Sequence, residues 1–288
     1  MTTLTIDFAR LMALVVEEVR RAERRASLCA CHHTAADCCP DRLRQVVEAG
    51  AARLGLHASG HAQAGLAAYI DHTLLRPDAT RQDVDRLCRE AAEHGFATVC
   101  INPCWVSRCA AALEDTSVGV CSVVGFPLGA NVPGVKAAEA RQVLADGAIE
   151  IDMVINVGAL KSGDVAWVED DIGGVVRACR ACGALCKVIL EMAYLTEEEK
   201  VTACILAKAA GADYVKTSTG FGPGGATVAD VALIRRVVGP EMGVKAAGGV
   251  RDAAAARALI DAGATRVGAS AGVQILRGQE IPWRSIRR

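Results

Sequence analysis

The feature that most constrains this chain is a rhythm. From about residue 67 onward, short β-rich apolar runs alternate with longer amphipathic stretches, the pattern of βα units that feed a parallel sheet. Eight units can be counted, with strands expected at 68–71, 97–101, 118–123, 150–155, 185–191, 214–217, 244–246 and 266–268. Helices expected at 82–94, 135–146, 197–210 and 253–262 fall between them, and several run into glycine, a C-terminal cap signal. Eight such units in about 220 residues fit a closed (β/α)8 TIM barrel, whose chemistry gathers at the C-terminal ends of the strands. An open doubly wound sheet is the alternative, but no Gly-x-Gly-x-x-Gly follows the first strand.

Residues 1–66 stand outside this rhythm. The stretch 6–25 reads as one helix, and Pro40 opens another at its first position. Residues 55–65 read as a glycine-rich linker. The chain therefore divides near residue 66 into a helical N-terminal extension, 1–66, and a barrel domain, 67–288. The extension carries Cys29, Cys31, His32, His33, Cys38 and Cys39. Cys29, Cys31, His32, Cys38 and Cys39 could ligate a structural metal such as tetrahedral zinc. Cys-x-Cys and adjacent Cys-Cys are poorer chelates than paired Cys-x-x-Cys, so a redox-sensitive thiol patch or chance clustering stays open.

Composition excludes several function classes. Apolar residues make up 52% of the 288, yet no run approaches the roughly 18 needed to span a bilayer. A net charge of −1 gives no global field for nucleic acid or anionic lipid, so any bound anion must be held locally. The apolar run at 11–16 is flanked by Asp7, Arg10, Glu17 and Glu18, unlike a signal or transit peptide. Thirteen cysteines without such a signal fit reduced thiols in the cytoplasm. The low aromatic content, 3%, does not exclude a homodimer.

Chemistry concentrates at the expected strand ends, where Asp71, Cys100, Asp152, Lys187, Glu191, Lys216, Lys245 and Ser270 fall. Lys216 closes an apolar strand and is followed by Thr217-Ser218-Thr219-Gly220; Lys245 holds the equivalent place one unit later, before Ala246-Ala247-Gly248-Gly249. An isolated strand-end lysine commonly snorkels to solvent. Two ammonium groups held near one another instead favour loss of a proton from one, which makes a nucleophilic amine. Asp152 lies inside an apolar strand, where an unpaired charge is costly. A lysine across the barrel mouth would supply its partner, and with a water the set becomes a proton shuttle. Three consecutive turns containing Gly220, Gly248 with Gly249, and Ser270 suit a substrate phosphate, because the loops after the last barrel strands present oriented N–H groups. Elsewhere, Cys179, Cys182 and Cys186 read as packing thiols, Cys100 as core beside the site, and His72 as a hydrogen-bonded structural histidine.

Taken together the residues resemble a known family. Asp71-His72-Thr73-Leu74-Leu75, the stretch 151–163 from Ile151-Asp152-Met153 to Lys161-Ser162-Gly163, Val215-Lys216-Thr217-Ser218-Thr219-Gly220-Phe221 and Lys245-Ala246-Ala247-Gly248-Gly249-Val250-Arg251 occur in order over about residues 67–277. They resemble the deoxyribose-phosphate aldolases. The resemblance implies a class I aldolase with no cofactor for catalysis, cleaving 2-deoxy-D-ribose 5-phosphate reversibly to acetaldehyde and D-glyceraldehyde 3-phosphate. It implies that Lys216 forms the Schiff base, that Lys245 favours its neutral amine, and that Asp152 relays protons through a water. It further implies that Asp71, Thr73 and Lys187 line the mouth, and that Gly220, Gly248, Gly249 and Ser270 bind phosphate. Partners would be small phosphosugars and aldehydes. Ala246 stands where family members usually carry proline, Ala271 where they carry a second serine, and the end of the chain lacks the tyrosine found in some members. These departures bear on rate and substrate choice and leave the lysine pair intact. A phosphosugar isomerase on the same barrel would instead need a carboxylate or histidine base without an imine lysine. A non-catalytic scaffold would place function in the Cys/His segment.

Overall fold

The computed structural model describes residues 65–278. Eight strands, β1 Ile70–Leu74, β2 Thr98–Ile101, β3 Gly119–Val124, β4 Glu150–Val154, β5 Leu185–Ile189, β6 Tyr214–Lys216, β7 Gly243–Ala247 and β8 Arg266–Ala269, pair in parallel and in sequence order. β8 returns to β1 through Asp71 opposite Gly268, so the sheet closes into the expected (β/α)8 barrel. The helices between strands are α1 Arg81–His94, α2 Val106–Leu113, α3 Pro133–Ala145, α4 Val157–Lys161, α5 Val165–Ala181, α6 Glu197–Ala209, α7 Val228–Val238, α8 Ala253–Asp261 and α9 Gly272–Arg277. The extension at 1–64, including Cys29, Cys31, His32, Cys38 and Cys39, and the C-terminal stretch from 279 lie outside the described residues. Among the described residues no helix is long and apolar enough to cross a membrane.

Local sequence sets the helix starts. Thr80 and Asp83 form a reciprocal capping box at α1, as do Thr196 and Glu199 at α6, each satisfying two of the amides a helix start leaves unpaired. Pro133 opens α3 where its missing N–H costs nothing.

Strand alternation then decides what fills the barrel. Along β4 all five residues are buried; Ile151 and Met153 face the helices, whereas Glu150, Asp152 and Val154 face the interior. The same parity points Asp71, Cys121, Lys187 and Lys245 of the odd strands inward as one layer, and Cys100, Asp152 and Lys216 of even strands as the next. Gly268 takes the fourth place of that second layer. A Cβ there would stand 3.1 Å from Lys245 Cε and 3.0 Å from Ala247 Cβ, so the glycine leaves the space the lysine occupies. Barrel interiors of this kind are usually filled by branched apolar side chains in such layers; this one is filled by ions.

Two strands depart from the sequence expectation by two residues or more, and the first also runs three residues past its expected end, to Leu74. The first strand begins at Ile70 because Leu66–Tyr69 coil into a 3-10 turn. The fifth ends at Ile189, two residues before Glu191, which turns into the left-handed region at φ 44°.

Candidate active site

Asp152 is the hub of the barrel mouth. Its Oδ2 accepts from Lys216 Nζ and Lys245 Nζ, both at 2.7 Å, and its Oδ1 accepts from Lys187 Nζ at 2.7 Å and from the Cys121 thiol at 3.2 Å. Below it, Lys245 Nζ lies 2.5 Å from Asp71 Oδ2, and Lys187 Nζ 2.7 Å from Glu150 Oε2. The Arg266 guanidinium bridges Asp71 at 2.5 Å and Glu150 at 3.1 Å, and its central carbon lies over the Tyr214 ring, 5.8 Å from the centroid. Four basic groups thus face three carboxylates, and the cluster is neutral when one amine gives up its proton. Glu150 and Arg266 carry no mark in the sequence, since each begins its strand; only the stagger of the barrel brings β4 and β8 together across the interior.

The network fixes ionisation. Burial pushes the Asp152 carboxyl toward its neutral form, but Lys187, Lys216 and Lys245 outweigh this and hold its pKa well below the usual carboxylate range. Asp71 is likewise lowered: burial is outweighed by Arg266, Lys245 and Lys187. For Lys187 and Lys245 burial favours the neutral amine, yet Asp152 and its companion carboxylates reverse this and raise both above the ordinary lysine value. These two lysines are therefore fixed cations, fully enclosed. Lys216 alone among the three reaches the cavity above.

That cavity, about 350 Å³, opens over Lys216 and is walled by Thr73, Gly220, Gly248, Gly249, Ser270 and Arg251. Gly220, Gly248 and Gly249 have φ of 87°, 94° and 79°, which a side chain would strain. The loop after β6 packs directly on the turn after β7: Ala226 N donates to Gly248 O at 3.0 Å, and a Cβ on Gly225 would sit 2.3 Å from that oxygen. The Thr217 hydroxyl donates to Ala247 O at 3.0 Å and accepts from Ala247 N at 3.1 Å, tying the two strand ends together.

The structure therefore gathers Lys216, Thr73 and the phosphate-type turns at one mouth, with Asp152 and Lys245 enclosed directly beneath Lys216 and bonded to it through Asp152 Oδ2. Asp71 and Lys187 are not on the cavity; like Lys245 they lie beneath it within the ion network, because their strand positions fall one layer lower. Arg251 and Arg76 lie on the cavity as well, although in the sequence they look like any loop arginine. Cys100, Cys121 and Asp152 offer ligand atoms within 4.8 Å of one another, but the Lys187 and Lys245 ammonium groups already hold that carboxylate and oppose a cation there. His72 points outward, bonded to Glu90 at 2.7 Å and packed on Phe96, the structural role expected of it. Cys179 and Cys186 are buried as packing thiols, whereas Cys182 is exposed.

The chain that builds this cavity is similar to known proteins over the whole barrel. The DeoC/LacD family aldolase pattern matches residues 66–279. A deoxyribose-phosphate aldolase of Brevibacillus brevis is 60% identical over 210 residues, 73% of this chain and 94% of that protein. A deoxyribose-phosphate aldolase 1 of Oceanobacillus iheyensis is 60% identical over 215 residues, covering 75% and 97%. Among solved structures, a putative deoxyribose-phosphate aldolase from Coccidioides immitis superposes with a TM-score of 0.73 at 44% identity, over 74% of this chain and 85% of that one. The tetrameric deoxyribose phosphate aldolase of Aeropyrum pernix gives 0.71 at 36%, over 75% and 91%. With the match spanning the whole barrel, this chain belongs to the DeoC/LacD family of aldolases.

Proposed function

We propose that the protein is a class I deoxyribose-phosphate aldolase, cleaving 2-deoxy-D-ribose 5-phosphate reversibly to acetaldehyde and D-glyceraldehyde 3-phosphate. The observation that carries this is the placement of Lys216: it is the one lysine of the buried cluster open to a cavity, and that cavity ends in glycine turns suited to a phosphate. The neutral Lys216 amine attacks C1 of the open-chain sugar, and loss of water leaves a protonated imine. A proton leaves the C3 hydroxyl, the C2–C3 bond breaks, and its electron pair moves toward the imine nitrogen, giving an enamine and releasing glyceraldehyde 3-phosphate. Protonation of the enamine at C2 and hydrolysis free acetaldehyde and the amine. Asp152, held ionised by its lysines, passes protons through water rather than storing one, and Lys245 keeps positive charge beside the reacting nitrogen. The turns bearing Gly220, Gly248, Gly249 and Ser270 hold the phosphate with Arg251.

This chemistry needs no metal. Cytoplasmic residence and a homo-oligomeric state belong to the same reading, the latter supported by the tetramer named for the Aeropyrum pernix relative and checked by sedimentation. We place the domain boundary near residue 66, where the family match begins. The test is borohydride trapping with acetaldehyde, together with acetaldehyde release from the sugar phosphate. Full-length protein and residues 66–288 are expected to trap a two-carbon adduct on Lys216 and to turn over, and Lys216→Ala is expected to do neither. A wild type that neither traps an adduct nor releases acetaldehyde from the sugar phosphate would point instead to the isomerase alternative.

A further inference from the structure

Glu191 follows β5 in a conformation no other described non-glycine residue adopts, φ 44° and ψ 62°. Such backbone is strained for an L-residue and persists where the surroundings impose it. Here they do. Leu190 N donates to Lys216 O and Met192 N to Thr217 O, both at 3.0 Å, so Glu191 is pinned beside the end of the nucleophile's strand.

Its carboxylate is buried and only half used. Glu191 Oε2 accepts from the Thr219 hydroxyl and, at 3.4 Å, from Thr219 N, while Oε1 is buried without a partner. Gly222 makes room for it, since a Cβ there would fall 2.8 Å from the carboxyl carbon. Thr219 and Phe221 form a wall between the catalytic cavity and a second, mainly apolar cavity of about 310 Å³ that Glu191 itself lines. The Thr219 hydroxyl is thus committed: its proton goes to Glu191, and one lone pair takes Phe221 N–H at 3.0 Å. What remains on the hydroxyl is a single acceptor, carried by a residue that lines the catalytic cavity.

We propose that Glu191 is a positioning residue for this aldolase, orienting Thr219 so that its hydroxyl accepts a hydrogen bond from a hydroxyl of the sugar phosphate. Resting on the aldolase reading above, this assigns Glu191 to recognition of the hydroxylated substrate and leaves imine formation with a bare aldehyde independent of it. A purely structural glutamate at this backbone conformation would be replaceable by glycine, which relieves the strain.

The experiment compares Glu191→Gly, Glu191→Gln and Thr219→Val in the full chain. Three quantities are read: KM and kcat for 2-deoxyribose 5-phosphate, and the rate of borohydride trapping of acetaldehyde on Lys216. Glu191→Gly and Thr219→Val are expected to raise KM about tenfold, the effect of one substrate hydrogen bond, with trapping at the wild-type rate. Glu191→Gln, which can still accept from Thr219, is expected to restore most of the affinity. The Glu191→Gly/Thr219→Val double variant is expected to be no worse than either single one. An unchanged KM in Glu191→Gly, a loss of trapping in parallel with KM, or effects that multiply in the double variant would each overturn the proposal. A wild type that traps no acetaldehyde would sink the aldolase reading itself.

Discussion

Lys216 differs from Lys187 and Lys245 chiefly in having somewhere to go. All three rest on Asp152 at 2.7 Å, but Lys187 and Lys245 are each also held by a second carboxylate. Asp152 keeps the cluster together and relays protons, so Asp152→Asn should act twice. We expect kcat to fall by roughly 10²–10⁴, the usual contribution of a positioned proton-transfer group. We also expect stability to drop by about 3–5 kcal/mol, because the buried Lys187 and Lys245 cations lose their shared counter-charge. Retro-aldol kinetics and denaturant titration measure the two effects separately, and a variant as stable as wild type would contradict the hub role. At this scale the sequence was informative where a residue type is costly without a reason: Asp152 in an apolar strand and lysines at strand ends announce themselves. Glu150 and Arg266 do not, because a charge at the start of a strand usually meets water.

Among elements, the loop after β6 and the turn after β7 behave as one unit. Gly225 lies against the carbonyl of Gly248, so Gly225→Ala should push the β7 turn away from the position it takes over the cavity. The expected outcome is a raised KM for the sugar phosphate with acetaldehyde trapping unchanged; a variant weakened equally in both would show that the turn serves the lysine rather than the anion. Most strands were legible to within a residue or two because apolar runs and helix-ending glycines bracket them. Apart from the first strand's run on to Leu74, the larger misses share a cause. At Leu66–Tyr69 and at Leu190–Glu191 the apolar pattern continues while the backbone leaves the sheet, and hydrophobicity carries no information about φ. The register that sets Asp71 and Lys187 one layer below the cavity was likewise invisible, since it follows from barrel stagger and not from any single strand.

For the whole molecule, ions in place of an apolar barrel filling make stability depend on pH in a defined way. Asp152 and Asp71 have folded pKa values below the unfolded value of 3.8, so their contribution is complete above that pH and is lost as pH falls through the folded values. Lys187 and Lys245 have folded values above 10.5; their contribution is complete below that pH and is lost as pH rises through the folded values. The Tm difference between wild type and Asp152→Asn should accordingly stay constant at moderate pH and begin to narrow only below about pH 3.8. A gap that persists undiminished into strong acid would show that the carboxylate is not the stabilising partner. The interlocked ions have one more consequence, for how such a chain can change over time. Removing any one member strands its partners at a cost of about 3–5 kcal/mol, a large share of the roughly 5–15 kcal/mol that keeps a domain folded. Single-step drift is thereby blocked in the barrel floor and diverted to the loops above it. Selection can reshape what the enzyme accepts at the mouth while the floor, and with it the amine chemistry, is inherited as a block.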